Sequence, residues 1–176
     1  MPEAKYIVVK DVLTKEEAAH LVKRAYDNLY EHPFKGFQGF SPLNDEWYHH
    51  PKIQKMLADA EQYFKDNYLS EGKEIVFDRQ HGNIMNEGAE LWAHKDVYDP
   101  SDPGGGPGNA LVCNLFLTDD YEGGELVFKD LNESIIPSVG DAIIFPGYLL
   151  NHGVNKVKGG SRINIISHFF LIDKSN

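Results

Sequence analysis

The sequence predicts a mainly β fold, a sandwich or barrel with flanking helices. From about Ile75 onward, short apolar runs recur at close intervals, separated by Gly, Asp and Asn turns. The region before it instead shows apolar residues at helical spacing. No linker divides the two. We therefore expect one domain over residues 1–176, with helical support over about 1–70 and a β core over about 75–172.

Taken in order, Tyr6–Lys10 is a β-branched run and reads as a strand. Asp11–Tyr30 reads as a helix, with Thr14 as N-cap and Glu17 as its capping-box partner. Ala18, Leu21, Val22, Ala25 and Leu29 form its apolar face, and His32-Pro33 ends it. Residues 33–50 lack a period and read as loop, with room for one short strand; Trp47 and Tyr48 there either line a groove or pack a rim. Pro51–Asn67 reads as a second helix. Pro51 suits its first turn, and Ile53, Leu57, Ala60 and Phe64 form its stripe.

The strands expected next are Ile75–Asp78, Gly82–Asn86, Leu91–Tyr98, Ala110–Thr118, Gly124–Lys129, Ser134–Pro137, Ala142–Pro146 and Ser161–Ile172. Between two of them, Asp99–Gly108 is too rich in Gly and Pro to form an element, and reads as a lid or a plain surface loop.

Composition narrows the function classes. A net charge of -10 disfavours a nucleic-acid partner. The lone cysteine, Cys113, rules out an intramolecular disulfide and a thiol-rich metal site. No apolar run approaches the ~20 residues of a membrane span, and the N-terminus lacks a signal-peptide stretch. The expectation is a cytoplasmic or otherwise intracellular protein with no membrane partner.

One constellation carries chemistry. His94 and Asp96 are alternate residues of a predicted strand, so their side chains share a face. His152 follows the strand ending at Pro146 and supplies a second imidazole. Two imidazoles and one carboxylate with positions left open is the ligand pattern of non-haem iron(II) oxygenases, although zinc, nickel or copper would also suit these donors. Arg162 opens the last strand and offers a planar fork for a carboxylate. Lys156 and Lys158 could replace it, but sit by a Lys-Gly-Gly turn and should face water. Taken singly, each residue reads as surface; order, spacing and strand context together point to a site.

The segments Gly88–Asp96, Leu115–Phe128, Pro137–Pro146, His152 and Gly159-Gly-Ser-Arg162, with the Val8–Glu17 opening, resemble the prolyl 4-hydroxylase-like branch of the iron(II)/2-oxoglutarate-dependent dioxygenases. That resemblance implies a double-stranded β-helix (a cupin-like jelly roll) with helices on the major sheet. It implies Fe(II) at His94, Asp96 and His152, 2-oxoglutarate held through its C5 carboxylate by Arg162, O2 as cosubstrate and stimulation by ascorbate. A protein or peptide substrate follows, peptidyl proline first. Tyr98 and Trp92 become candidate substrate contacts, and Gly123-Gly124-Glu125 a structural turn.

The chain departs from that pattern at three places. Met85 stands where the family carries a tyrosine that helps hold 2-oxoglutarate, and Asn83 or Asn114 are candidates to take over that contact. Ile84 replaces an arginine associated with peptide substrate, so another protein side chain or a small molecule stays open as target. His168 replaces a tryptophan; by alternation it shares a face with Arg162, Asn164 and Ile166, as a pocket hydrogen-bonder or a satisfied core histidine. His20, His32, His49, His50 and His81 show no spacing that ties them to these ligands. Two other readings are a cupin-like metalloprotein that does not use 2-oxoglutarate, which would have no need of Arg162, and a jelly-roll binding module without chemistry.

Overall fold

The architecture comes from a computed structural model that describes residues 4–42, 46–97, 99, 101 and 108–174. In chain order the elements are β1 (Ile7–Val9), α1 (Lys15–Asp27), β2 (Leu29–Glu31), β3 (Phe37–Phe40), α2 (Pro51–Tyr68), β4 (Lys73–Met85), β5 (Leu91–His94) and β6 (Asn109–Phe116). They continue with β7 (Glu122–Gly123), β8 (Leu126–Phe128), β9 (Glu133–Ile135), β10 (Ala142–Phe145), β11 (His152–Val154), β12 (Val157–Gly159) and β13 (Arg162–Asp173). A seven-stranded antiparallel sheet runs β1-β10-β6-β13-β4-β3-β2. A four-stranded sheet, β5-β11-β8-β9, faces it, and β12 pairs with β7 at one end. This is the expected jelly roll with two helices.

Strand alternation divides the core in two. On β6, Leu111, Cys113 and Leu115 point to the helices, while Val112 and Phe116 point between the sheets. On β13, Ile163, Ile165 and Phe169 join the helix side. Both helices lie on that outer face and bury Ala18, Leu21, Ala25, Ile53, Ala60 and Phe64 against it. The Thr14–Glu17 capping box forms as expected, and Pro51 occupies the first turn of α2. No helix among the described residues is long and apolar enough to cross a membrane.

Four expectations need correction. Helix α1 ends at Asp27, and Leu29 is not on its buried face. Leu29 is 38% exposed in β2, because the chain turns at the C-cap Asn28 to add an edge strand beside β3. Ile75–Asp78 and Gly82–Asn86 are one strand, β4. Its polar middle resembled a turn, yet Gln80 is buried and bonded to Ser167 on β13 (2.8 Å), and a bulge sits near Asp78. The strand expected over Leu91–Tyr98 stops at His94. His152, for which no strand was expected, opens one of its own, β11, and β2, β7 and β12 were too short to show a period.

Candidate active site

The imidazoles of His94 and His152 come together because β5 and β11 are antiparallel neighbours with these two residues in register. Their ring centroids are 4.6 Å apart. Each Nδ1 lies against a backbone carbonyl, that of Trp92 for His94 (3.0 Å) and that of Leu150 for His152 (2.9 Å). A carbonyl can only accept, so Nδ1 carries a proton in each ring; while the ring is neutral Nε2 keeps a lone pair for a metal, and when the ring is charged Nε2 donates to the carboxylate. Both Nε2 atoms turn to one carboxylate: His94 Nε2 is 3.2 Å from Asp96 Oδ1, and His152 Nε2 is 3.5 Å from Oδ2.

Asp96 does not reach this position by strand alternation, since β5 has already ended. The turn that carries it is fixed by two backbone bonds, Asp96 N–H to Gly147 O (3.0 Å) and Ala110 N–H to Asp96 O (3.1 Å). Gly147 is needed for space: a Cβ there would overlap Asp96 Oδ2. The three donor atoms lie within 4.8 Å of one another, the only such group of His, Cys, Asp or Glu among the described residues that could hold a metal ion. Burial pushes the Asp96 carboxyl up, but the bond from a charged His94 and the neighbouring imidazoles outweigh it and hold the group below its ordinary value. His94 is raised by its bond to Asp96 against the effect of burial, whereas burial lowers His152.

These groups open into a cavity of about 300 Å³ between the two sheets. At its far end lies Arg162, 2% exposed. One guanidinium nitrogen, Nη1, donates to Asn164 Oδ1 (2.8 Å) and approaches Met85 Sδ (3.5 Å). The cation sits over the Phe116 ring at 4.9 Å. Nε and Nη2 are buried with no partner. The Tyr121 hydroxyl is buried beside the guanidinium in a geometry short of a hydrogen bond. Burial lowers the Arg162 pKa and Tyr121 partly offsets this. A buried cation with two unused donors aimed away from any carboxylate side chain is a cradle for an anionic ligand.

Arginine can only donate, so it fixes the amides that follow. Asn164 must present its oxygen to Arg162, and its nitrogen then donates to Asn114 Oδ1 (2.7 Å). Asn83 also lines the cavity, and its Oδ1 is buried without a partner.

The structure thus gathers His94, Asp96, His152, Arg162, Asn83, Asn114, Trp92, Met85 and His168 around one cavity. Trp92 is 67% exposed at its mouth. Tyr98 and most of the 99–108 loop lie outside the described residues, as does the side chain of Trp47. Tyr48 packs on Phe77, away from the cavity. Lys156 and Lys158 are exposed, as expected. His168 is not a satisfied core histidine, because it lines the cavity with its Nδ1 buried and unpartnered. His32 and His81, which showed no link to the site in sequence, also line the cavity. Reading β4 as one strand would have found His81, since His81, Asn83 and Met85 alternate along it.

Comparisons with known proteins fit this geometry. The chain matches a model described as the 2OG-Fe(II) oxygenase superfamily over residues 80–170. A PKHD-type hydroxylase of Psychrobacter sp. (strain PRwf-1) is 44% identical over 61 residues, and the match covers 32% of this chain and 23% of that protein's length. Three solved structures share the fold. The viral collagen prolyl hydroxylase of Paramecium Bursaria Chlorella virus-1, as its 2OG complex, superposes with TM-score 0.72 at 20% identity, covering 96% of each chain. A Pseudomonas putida prolyl-4-hydroxylase gives 0.66 at 17%, covering 98% of this chain and 94% of that one. HygX of Streptomyces hygroscopicus, with nickel and 2-oxoglutarate bound, gives 0.66 at 11%, covering 95% and 83%. By the match that spans β4 to β13, this chain is a member of the 2OG-Fe(II) oxygenase superfamily.

Proposed function

We propose that the protein is an iron(II)- and 2-oxoglutarate-dependent dioxygenase, built as one catalytic unit, that hydroxylates an unactivated C–H bond, with peptidyl proline as the first substrate. The observation that carries this is the convergence of His94, Asp96 and His152 at one wall of a cavity whose far end holds an unpaired buried guanidinium. In this reading His94 Nε2, His152 Nε2 and the Asp96 carboxylate hold the iron. Bound there, iron(II) supplies dioxygen activation coupled to decarboxylation of the oxoacid, one oxygen atom going to substrate and the other to succinate.

The chain's own residues orient and shield. Arg162 fixes the C5 carboxylate through Nε and Nη2, which sets the reach and direction of the oxoacid. Asn164 and Asn114 pre-order that end through their hydrogen-bond chain. Asn83 and Asn114 stand beside Met85 as the polar groups able to take over the contact made by the family tyrosine. Val112, Leu126, Phe145 and Val154 form apolar walls that exclude water from the reacting atoms. No nucleophile or general base is required.

A second reading is a small-molecule substrate, since Ile84 is buried on the helix side and no group at that position reaches the cavity to hold a peptide. A structure of HygX with hygromycin B bound shows that a protein of this fold takes such a ligand.

The test is succinate formation from 2-oxoglutarate with iron(II), O2 and ascorbate, followed by mass spectrometry of proline-containing peptides for a gain of one oxygen. Succinate is expected even without substrate, as uncoupled turnover. Its absence would remove the oxygenase assignment, whereas succinate with no oxygenated peptide would remove only the prolyl label.

A further inference from the structure

The register of the major sheet sorts the cavity floor into rows. Arg162 lies opposite Met85 on β4. The next inward row is Asn83, Asn164 and Phe116, and the one after it His81, Ile166, Asn114 and Ile143. The row beyond contains Arg79, His168, Val112 and Phe145. His168 lies six positions beyond Arg162 on β13, roughly 20 Å along a strand. His168 lines the same cavity as Asp96 and His152, close enough for their charges to act on it. A 2-oxoglutarate bound as proposed has both polar ends committed, one to Arg162 and one to the metal. The His168 row is left for the other reactant.

That part of the floor has a definite chemistry. The rings of His81 and His168 stack at 5.3 Å and 16°, and His168 continues onto Phe170 at 6.1 Å and 21°. His168 Nδ1 is buried and unpartnered. Burial, aided by neighbouring positive groups, holds His81 down to about 4 and His168 to about 3, so both rings are neutral and each carries one donor and one acceptor. The one permanent cation of the row, Arg79, is 3.7 Å from Asp78 and lies over Phe170 at 5.8 Å. The wall therefore offers paired donor and acceptor groups without net charge. A carboxylate or phosphate would be desolvated there against two neutral rings, with the nearest cation, Arg79, already shared with Asp78 and the Phe170 ring.

We infer that the stacked His81–His168 pair is the recognition wall for the primary substrate, and that it takes an uncharged amide group lying next to the C–H bond to be oxidised. This rests on the dioxygenase reading. His168 is a positioning residue that contacts the amide through Nδ1, and His81 fixes its ring plane by stacking.

The probe is the capped tripeptide acetyl-Ala-Pro-Gly-amide, with acetylproline as its carboxylate comparator. Michaelis constants for the peptide and for 2-oxoglutarate are measured by succinate release in the wild type, His168→Phe and His168→Asn. Calorimetric binding of the peptide is measured in parallel on protein loaded with zinc(II) and 2-oxoglutarate. The ratio of the peptide constant to the 2-oxoglutarate constant should rise about tenfold in His168→Phe, the loss of one net hydrogen bond. It should return to within about twofold of wild type in His168→Asn, whose amide restores a donor and an acceptor. An unmoved ratio, a 2-oxoglutarate constant that rises in step, a wild type that prefers acetylproline, or a wild type with no saturable response to the capped peptide would each overturn the assignment. Absence of succinate from every form counts instead against the dioxygenase reading, and calorimetry still decides the wall.

Discussion

Replacing Arg162 by methionine removes the guanidinium but keeps an unbranched chain of similar reach in the buried slot. Two effects should follow. Wild-type Arg162 leaves Nε and Nη2 without hydrogen-bond partners and keeps the Asn164 bond, the Met85 contact, the Phe116 face and the neighbouring Tyr121 hydroxyl. Each open donor that meets a carboxylate contributes about 1.5–3 kcal/mol. Losing both should weaken 2-oxoglutarate binding by about 10²–10⁴-fold. Burying an apolar side chain in place of an unpaired ion is neutral or stabilising, while Asn164 Oδ1 loses its donor at a cost of about 1–3 kcal/mol, so the variant without 2-oxoglutarate should melt close to wild type. The assay is thermal unfolding of metal-loaded protein with and without 2-oxoglutarate at 100 times the wild-type Kd. Wild type should gain ~2.7 kcal/mol, or about 5–10 °C in Tm for a chain of this size. The variant should gain ~1 °C or less. An equal rise in both proteins would refute the placing of the oxoacid at Arg162, and a variant much less stable than wild type would refute the view that this cation is held at a cost.

Gly147→Ala should reduce metal affinity by about tenfold or more, because the added methyl falls most closely on Asp96 Oδ2 and, less closely, on the Val112 methyl; titration of metal into variant and wild type checks it, and equal affinities would contradict it. The neutral histidines set a pH dependence. His81 and His168 titrate at about 4 and about 3 in the fold and near 6.5 when unfolded. The unfolded chain therefore binds more protons below pH ~6.5, and stability falls as pH drops through that window, by at most ~1.4 kcal/mol per pH unit for each group. Urea midpoints of the metal-free double variant His81→Phe/His168→Phe should vary less steeply between pH 7 and 4 than those of wild type; identical slopes would contradict the buried neutral state. Phe64→Ala on the fully buried face of α2 should cost about 3–5 kcal/mol, read as a fall in urea midpoint. A loss under about 1 kcal/mol would mean that α2 does not seal the outer face of the sheet.

The site was legible in sequence where its residues follow a short-range rule. His94 and Asp96 are near neighbours, and their convergence was foreseen. The backbone that achieves it was not, because β5 ends at His94 and the aspartate is set by Gly147, in the turn after β10, and Ala110, at the start of β6. His152 was recognisable by its order in the chain, but its strand is three residues long and pairs on both sides with distant segments. His81 was hidden for a different reason. The stretch Arg79-Gln80-His81 is polar enough to resemble a turn, and only the buried Gln80–Ser167 pair and the cavity explain such residues inside a strand. His32 enters the cavity beside Phe37 (5.1 Å), through an edge hairpin that was read partly as helix. Leu29 shows the same error from the other direction: its helical spacing is real, but the chain leaves the helix before reaching it. Capping, Pro51 and the stripe of α2 are local signals, and they were read correctly.

The central claim is that His94, Asp96 and His152 form one incomplete coordination shell. Anaerobic titration of iron(II) into wild type and Asp96→Ala tests it most directly. The account predicts one tight iron per wild-type chain, with affinity lost by at least about a hundredfold in the variant, since one of three donors is gone and the two imidazoles keep no shared counter-charge. Equal iron binding by both proteins would contradict it.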